Sequence, residues 1–192
     1  YNDVRPFVPC GYTDSLGNGT GEIALTLDNG SADTPVKVTT KVNRYRGIEC
    51  PFGHIWHWID GINVRISPNA DKGGDGLSKV FVCSDPAKFN DSNYEGYSYI
   101  GNEARTNGYV KEVIFGEGGE IMPQTVGGGS TTYFCDNHYT NIPTTETLRG
   151  VLFGGSANSG SNAGFVYAHS NDAPSDTNTY VGSRLCFIPA IA

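Results

Sequence analysis

The chain has 192 residues, a net charge of −7 and a pI of about 4.9, and only 17% of its residues are charged. Its basic residues are scattered, which argues against nucleic-acid binding because phosphate contacts need clustered positive charge. No apolar run approaches the ~18 residues of a membrane-spanning segment, so we expect no membrane insertion.

Segments with alternating or β-branched residues predict strands along most of the chain. In chain order, the predicted strands cover residues 22–27, 36–42, 52–66, 77–83, 131–135, 148–153 and 183–188, and residues 109–115 are either a strand or a short helix. Asp60 and Gly61 form a hairpin-type dipeptide that divides 52–66 into two short strands. Residues 67–76 predict a loop, and residues 85–107 predict an irregular segment.

The 26 glycines, 11 tyrosines and nine phenylalanines are typical of short strands joined by tight turns. No long amphipathic helix, internal repeat or linker is present. The residues therefore predict a single domain over 1–192 with mainly β structure, in which residues 1–50 match no motif and stay unassigned.

The chain contains five cysteines, none of which forms a CxxC pair: Cys10, Cys50, Cys83, Cys135 and Cys186. This spacing argues against a structural zinc site. Because cysteine prefers burial, we expect buried, reduced thiols, and one or two disulfides are the alternative.

Two other groups of side chains were considered as metal sites. His54 and His57 are three residues apart, and in a strand this spacing points them to opposite faces, so we expect hydrogen-bonded histidines beside an aromatic core. Asp71 and Asp75 offer oxygen ligands for calcium in a glycine-rich loop. They are too few for an EF-hand pattern, so a solvated loop is the preferred interpretation, and we expect no metal and no cofactor.

Residues 156–180, here called the polar segment, differ from the rest of the chain. Sixteen of these 25 residues are Asn, Ser, Thr, Asp, His or Tyr, and none is Lys, Arg, Glu, Leu, Ile, Met or Cys. We expect such a segment to stay outside the core. Tyrosine with Ser, Asn and Gly is the chemistry of antibody paratopes, so the segment is either a recognition loop or a plain solvated loop.

Three motifs occur in a defined order: residues 53–60 (GHIWHWID), 148–156 (LRGVLFGGS) and 182–185 (GSRL). They resemble the GNVWEW…D, RGGSW and GFRL signatures of the formylglycine-generating-enzyme-like branch of the C-type lectin fold. Within that branch, the chain is most similar to the variable proteins of diversity-generating retroelements, which occur in phages and in bacteria, including gut species. Ala157 replaces the usual Trp, and Ser183 replaces the usual Phe.

The resemblance implies an α+β class with the C-type lectin fold and few short helices, and a variable region over 148–188. In this family reverse transcription mutates adenines, and Ser, Asp, His and Tyr each lie one adenine change from an Asn codon. The implied function is a ligand- or receptor-binding domain on a phage tail fibre or a bacterial cell surface. It recognises a protein or glycan receptor. The sequence leaves the oligomeric state open, with a homo-oligomer such as a trimer as one option.

When the family pattern is carried over position by position, the resemblance divides the residues of this region into a variable set and a fixed set. The implied variable, ligand-binding residues are Asn158, Ser159, Asn162, Tyr167, His169, Asn171, Asp172, Asp176, Asn178 and Tyr180. The implied fixed residues are Gly154, Gly155, Ala163, Gly164, Phe165, Ala173, Pro174, Gly182, Arg184 and Leu185. Phe165 and Leu185 are expected to pack inward, Arg184 to make buried hydrogen bonds, and Tyr167 and Tyr180 to bind ligand at the surface.

Two alternatives to a diversified binding protein are considered. One is a structural virion or surface protein whose polar loop is merely exposed. The other is the oxidase activity of the family's parent enzyme, which uses two cysteines between the RGGS-like and GFR-like motifs. Because residues 156–182 contain no cysteine, the resemblance argues against an enzyme.

Overall fold

The computed structural model describes residues 6–27 and 36–183. The predicted strand 183–188 lies outside these residues apart from Ser183. Arg184, Leu185 and Cys186 also lie outside them.

The described residues form thirteen strands and four short 3-10 helices. The strands are β1 (Gly21–Leu27), β2 (Val36–Val42), β3 (Arg44–Tyr45), β4 (Ile48–Glu49), β5 (Trp56–Ile66), β6 (Ser78–Val82), β7 (Ser98–Asn102), β8 (Gly108–Phe115), β9 (Ile121–Val126), β10 (Asn137–Thr140), β11 (Thr147–Phe153), β12 (Ala168–Ser170) and β13 (Val181–Gly182). The 3-10 helices are Asp14–Leu16, Ala70–Lys72, Pro86–Lys88 and Gly160–Asn162.

The predicted α+β class is wrong, because no α-helix occurs in the part of the chain that the structure describes. The helices in that prediction came only from the family resemblance, whereas the composition favoured β structure. The physical reason is visible in the sequence. Its apolar residues alternate or cluster in short β-branched runs, and glycines and prolines divide the chain into segments that are short for a stable helix. The protein is mostly β.

One nine-stranded sheet organises residues 56–182. Its strand order is β7-β6-β5-β11-β12-β10-β8-β9, and β13 pairs with the first residues of β5. Neighbours are antiparallel except for β12 beside β10 and β13 beside β5. One face of this sheet carries the main core, in which Val64, Ile66, Val80, Met122 and Val151 are completely buried.

The N-terminal residues have a smaller core of their own. β1 and β2 form a separate two-stranded antiparallel sheet whose register runs from Gly21 opposite Val42 to Leu27 opposite Val36. Its inward side chains pack together in a second cluster made of Val8, Ile23, Leu25, Val42 and Cys50. This unit accounts structurally for much of the stretch that sequence motifs left unassigned.

The prediction of a turn at Asp60 and Gly61 is wrong, because β5 runs through them as one strand of 11 residues. They form a bulge instead: Val151 of β11 pairs with Ile59, whereas the preceding residue, Gly150, pairs with Asn63. Gly61 has a φ of +79°, and its carbonyl accepts a hydrogen bond from Cys83 N (2.8 Å). A dipeptide typical of hairpin turns therefore serves here to bend a long strand.

Gly61→Ala is expected to lower the free energy of unfolding by about 1–3 kcal/mol. The new Cβ would lie 2.4 Å from the carbonyl oxygen of Cys83 in a left-handed backbone conformation. Thermal unfolding followed by circular dichroism measures the loss. Gly73→Ala is the matched control, because Gly73 has a φ of +82° but no atom within 4 Å of its ideal Cβ position. Equal losses in the two variants would show that the close approach at Gly61 is not costly.

Other strand predictions have mixed outcomes. The strands at 22–27, 36–42, 77–83 and 148–153 are confirmed to within one residue at each end, and residues 109–115 form a strand rather than a helix. The strand predicted at 131–135 is wrong, since these residues form turns in which Tyr133 and Cys135 have positive φ. The irregular segment 85–107 contains β7, and strands β9, β10 and β12 were not predicted at all.

The described cysteines differ in exposure more than the sequence suggests. Cys50 is buried, as predicted, but Cys10 is exposed. Cys83 and Cys135 are half-buried and carry free thiols. The expectation of uniformly buried thiols is therefore confirmed only for Cys50.

Candidate functional site

Both ends of the polar segment are fixed to the same short stretch of chain before and within β5. At the start, Gly53 N donates to Gly154 O (2.9 Å) and Ala157 N donates to His54 O (3.0 Å). At the end, Trp56 N donates to Tyr180 O (2.8 Å). The segment thus leaves the sheet and returns to it within a few residues of residues 53–56.

The middle of the polar segment is not a loop. Residues Ala168–Ser170 form β12, which lies between β11 and β10 in the large sheet. Ala168 and Ser170 are completely buried. The expectation that the whole segment stays outside the core is therefore wrong, because hydrogen-bonded strand pairing lets small polar residues enter a sheet interior that their low hydrophobicity alone would not favour. The segment is divided into two exposed excursions, 156–166 and 171–180.

An aromatic layer supports the polar segment on the face of the sheet opposite the main core. Trp56 packs against Tyr167 with ring centroids 4.7 Å apart, and Leu152 completes this cluster. Trp58 lies over Gly150, where an added Cβ would come within 2.6 Å of the indole and 3.0 Å of Pro174 Cα. The missing side chain at Gly150 lets the second excursion cross close to the sheet.

The structure distributes the ten implied ligand-binding residues over three levels of burial. The exposed residues are Asn158, Asp176, Asn178 and Tyr180. The half-buried residues are Ser159, Asn162, His169, Asn171 and Asp172. Tyr167 is 8% exposed and belongs to the aromatic layer, so its expected position at the surface does not agree with the structure.

Several half-buried residues hold the shape of the first excursion. Ser159 Oγ accepts a hydrogen bond from Ser156 N (3.0 Å), and Asn162 Oδ1 accepts one from Tyr109 OH (3.2 Å). Below them, the Asp136 carboxylate accepts from Val166 N (2.9 Å). These bonds restrict the backbone before any ligand arrives, which lowers the entropic cost of binding.

The second excursion begins beside a histidine in an aromatic environment. His169 lies 5.1 Å from Trp56 and 4.8 Å from Tyr139 between ring centroids. Burial lowers the pKa of His169, and this effect outweighs the opposite influence of Asp172, whose Oδ2 is 3.6 Å from Nδ1. The imidazole is therefore neutral near pH 7, and the contact with Asp172 is not an ion pair there.

Phe165 does not pack inward as expected. Its side chain is 59% exposed and contacts Phe52 and Tyr45 edge to face, with centroids 4.9 and 6.4 Å apart. Tyr45 is itself 52% exposed. The first excursion and the N-terminal residues together therefore present an aromatic patch that sequence reasoning missed, because Phe165 lies more than a hundred residues from Tyr45 and Phe52 along the chain.

A buried polar cluster lies beneath β12. Glu103, which is 3% exposed, accepts hydrogen bonds at Oε1 from Ser170 Oγ (2.6 Å) and Thr140 Oγ1 (3.4 Å). Burial raises the pKa of Glu103 to about 8, and these two hydrogen bonds only partly oppose that effect. Nearby, His138 Nε2 donates to Ala104 O (2.9 Å), and burial lowers its pKa. The cluster joins the end of β7 to β10 and β12, and its burial gives it a structural role.

The structure also shows the positions of the aspartates and histidines that the sequence offers as metal ligands. Asp75 binds Arg65 (2.8 Å) and Lys79 (3.0 Å), and Asp71 is exposed in a short 3-10 helix. His54 precedes β5 and accepts a hydrogen bond at Nε2 from Val8 N (3.2 Å), while His57 lies within β5. Across residues 6–27 and 36–183, no group of three or more His, Cys, Asp or Glu side chains is placed to hold a metal ion. In the same residues, no helix has the length and apolar character needed to cross a membrane.

Comparison with known proteins gives no relative for this chain. No family model, no curated protein and no solved structure matches it.

Proposed function

We propose that the protein is a ligand-binding domain that uses the two exposed excursions of the polar segment to recognise a protein or glycan on a cell surface. In this proposal it is a variable protein of a diversity-generating retroelement, carried on a phage tail fibre or displayed by a bacterium. Binding is its whole activity, without catalysis, cofactor or metal.

One observation carries the proposal: the polar segment is held rigidly at three places while most of its polar side chains stay accessible. Its ends are bonded to residues 53–56, and its centre is a strand of the large sheet. Four of the ten implied variable residues are exposed, and five more are half-buried. Side chains at the four exposed positions can change without disturbing the core, as a diversified surface requires.

The charge of this surface bears on the class of ligand. The polar segment contains Asp172 and Asp176 and no lysine or arginine, and burial keeps His169 neutral. Phe165 and Tyr180 add exposed aromatic surface. Such a surface suits neutral or basic ligands better than phosphorylated or otherwise anionic ones. If the domain forms trimers, avidity would strengthen a weak single site.

The absence of catalysis is supported by the position of reactive groups. The polar segment contains no cysteine. Glu103, whose pKa burial raises to about 8, and His138, whose pKa burial lowers, both lie inside the protein, where substrate has no access.

The proposal is tested with a triple variant in which Asn158, Asn178 and Tyr180 are each replaced by alanine. The labelled protein is applied to bacterial cells and to arrays of their surface proteins and glycans. The variant is expected to lose at least about tenfold in affinity for the target that the parent protein binds, since removing an aromatic contact at an interface commonly costs more than 1 kcal/mol. Its thermal unfolding should be unchanged.

The control replaces three exposed residues outside the polar segment, Gln124, Tyr133 and Asn141, with alanine. If both triple variants bind equally well, the polar segment is merely exposed and the protein is a structural surface or virion component. Sequencing the encoding locus adds an independent test. A reverse transcriptase gene and a near-copy of the segment's codons that differs at adenines are expected beside it, and their absence would remove the diversification from the proposal.

A further inference from the structure

A groove of about 510 Å³, which shares no lining residue with the aromatic patch, lies between residues 92–95 and the start of β11. We call it the loop groove. Its polar and aromatic lining includes Arg65, Ser92, Asn93, Tyr94, Glu95 and Glu146. Its volume falls within the ~300–1,000 Å³ that small-molecule sites occupy, and none of these residues belongs to the polar segment.

The wall formed by residues 90–95 is held by a buried asparagine. Asn63 of β5, which is 4% exposed, donates both amide hydrogens, to Asn90 O (2.8 Å) and to Asn93 O (2.9 Å). Asn90 Oδ1 in turn accepts from Ser92 N (2.7 Å) and Asn93 N (3.0 Å). This wall is therefore fixed by polar bonds to the sheet rather than by a core of its own, and a ligand would find it already ordered.

Tyr94 provides a flat aromatic surface in this groove. One face of its ring stacks on Phe81 of β6, with centroids 4.2 Å apart and an angle of 14° between the planes. The side chain remains 37% exposed. Stacking on Phe81 fixes the ring plane, so the exposed part of the ring is available to pack against a flat apolar face of a ligand.

The cationic group in the described lining of the groove, Arg65, is already paired with carboxylates. Arg65 binds Asp75 through Nη1 (2.8 Å) and Glu146 through Nη2, so both arms of its guanidinium are occupied. Glu95 adds a further carboxylate. An anionic ligand would compete with these carboxylates for Arg65 and meet repulsion, whereas hydroxyl groups can donate to the carboxylates and accept from amides without adding charge.

We propose that the loop groove is a binding site for a neutral saccharide whose apolar ring face packs on Tyr94 and whose hydroxyl groups bond to Glu95, Glu146 and Asn93. A sugar ring matches this combination because one face exposes mainly C–H groups, which interact favourably with an aromatic ring, while its rim carries hydroxyls. Among the described residues that line the groove, the one cation is Arg65, which already binds two carboxylates, so a nucleotide would find no free cation for its phosphate. A purely apolar ligand would leave the groove's polar groups unpaired.

The groove lies next to the second excursion of the polar segment. Leu148 lines the groove, and Gly150, two residues further along β11, donates from its N to Asp172 O (3.1 Å). A glycan held in the groove would therefore extend toward residues 171–176. The saccharide site itself does not depend on the proposed recognition by the polar segment.

Saturation-transfer NMR with lactose, maltose and cellobiose at millimolar concentration tests the proposal on the intact protein. At least one of these sugars is expected to receive saturation, and Tyr94→Ala is expected to weaken its binding at least tenfold. Tyr94→Phe, which keeps the ring, should retain binding. Tyr133→Ala, which removes another exposed tyrosine that does not line the groove, should leave binding unchanged.

Further measurements separate this proposal from its competitors. The triple variant at Asn158, Asn178 and Tyr180 should still bind the sugar, so a failure of the proposed function leaves this result intact. Binding of none of the three sugars, or sugar binding that survives Tyr94→Ala, would overturn the proposal. Two other outcomes would also overturn the proposal, if neutral sugars do not bind. Tyr94-dependent binding of sialyllactose would assign the groove to an anionic glycan, and Tyr94-dependent binding of an arginine-rich peptide would assign it to a protein.

Discussion

Glu103→Gln is expected to make the protein more stable than the parent above pH 8 and to flatten the dependence of its stability on pH between about 6.5 and 8.5. Glu103 is buried, and burial raises its pKa from the usual 4.5 to about 8. Between those two values the folded protein keeps a proton that the unfolded chain releases. The free energy of unfolding therefore falls as the pH rises, and glutamine, which is neutral at every pH, removes this loss.

The expected size follows from the difference between the two pKa values. Each pKa unit corresponds to about 1.4 kcal/mol, so the ionisation of Glu103 costs on the order of 3–5 kcal/mol of stability by pH 8.5. Urea denaturation at a series of pH values measures it. We expect this loss of stability to affect β12 and β10, because Ser170 and Thr140 donate hydrogen bonds to the Glu103 carboxyl group.

The histidines limit the stability of the folded protein at acidic pH. Burial lowers the pKa values of His138 and His169, so they contribute stability that is lost as the pH falls through the acidic range. Above about pH 7.5 both are neutral in the folded protein and, with an ordinary pKa of 6.5, about 90% neutral in the unfolded chain. The exposed Glu117 serves as the control: Glu117→Gln should leave the pH profile unchanged. If Glu103→Gln has the same slope as the parent, Glu103 is ionised in the folded protein.

Tyr167→Ala is expected to destabilise the fold by about 3–5 kcal/mol, which is the usual cost of removing a buried aromatic side chain. Tyr167 is 8% exposed and packs against Trp56 in the aromatic layer. Tyr180→Ala should change stability by less than about 1 kcal/mol, because its side chain is 42% exposed. Thermal and urea unfolding of the two single variants measures both effects.

This pair of tyrosines also separates folding from recognition. We expect Tyr180→Ala to weaken ligand binding while the protein stays folded, and Tyr167→Ala to affect binding only through loss of structure. Tyr167→Phe keeps the ring and should restore most of the stability. If Tyr167→Ala is as stable as the parent, Tyr167 is not part of the core and returns to the set of ligand-binding residues.

The residue patterns alone predicted much of the strand content. The family resemblance, in contrast, implied the wrong structural class. Strands with alternating residues, such as β1 and β2, were placed to within a residue because their period of two is a local property. The short strands β10, β12 and β13 carry no such period. They exist because neighbouring strands already in place supply hydrogen-bond partners, and no window of sequence contains that information.

The candidate site was likewise predicted in part from local sequence and in part determined by tertiary contacts. Composition alone identified residues 156–180 as unusual, and the exposed Asn158, Asn178 and Tyr180 agree with that prediction. Phe165 and Tyr167 were assigned the wrong way round, since the assignment was carried over from the family by position and both residues lie before β12, where no regular period indicates which side chain meets the sheet. The burial of these two side chains depends on the positions of Trp56 and Phe52. Tyr167 packs against Trp56 in the aromatic layer, whereas Phe165 contacts Phe52 at the surface.

The sequence by itself determined that this is a turn-rich, mostly β protein with one polar, cysteine-free segment near its C-terminal end. The tertiary structure decided where that segment is fixed, which of its side chains reach solvent, and that Glu103 is buried beneath it. It also decided that loop residues 90–95 and β11 enclose a groove with Tyr94. Composition and periodicity act over neighbouring residues, whereas burial, pKa shifts and grooves arise between residues far apart in sequence, and those depend on the complete arrangement of strands.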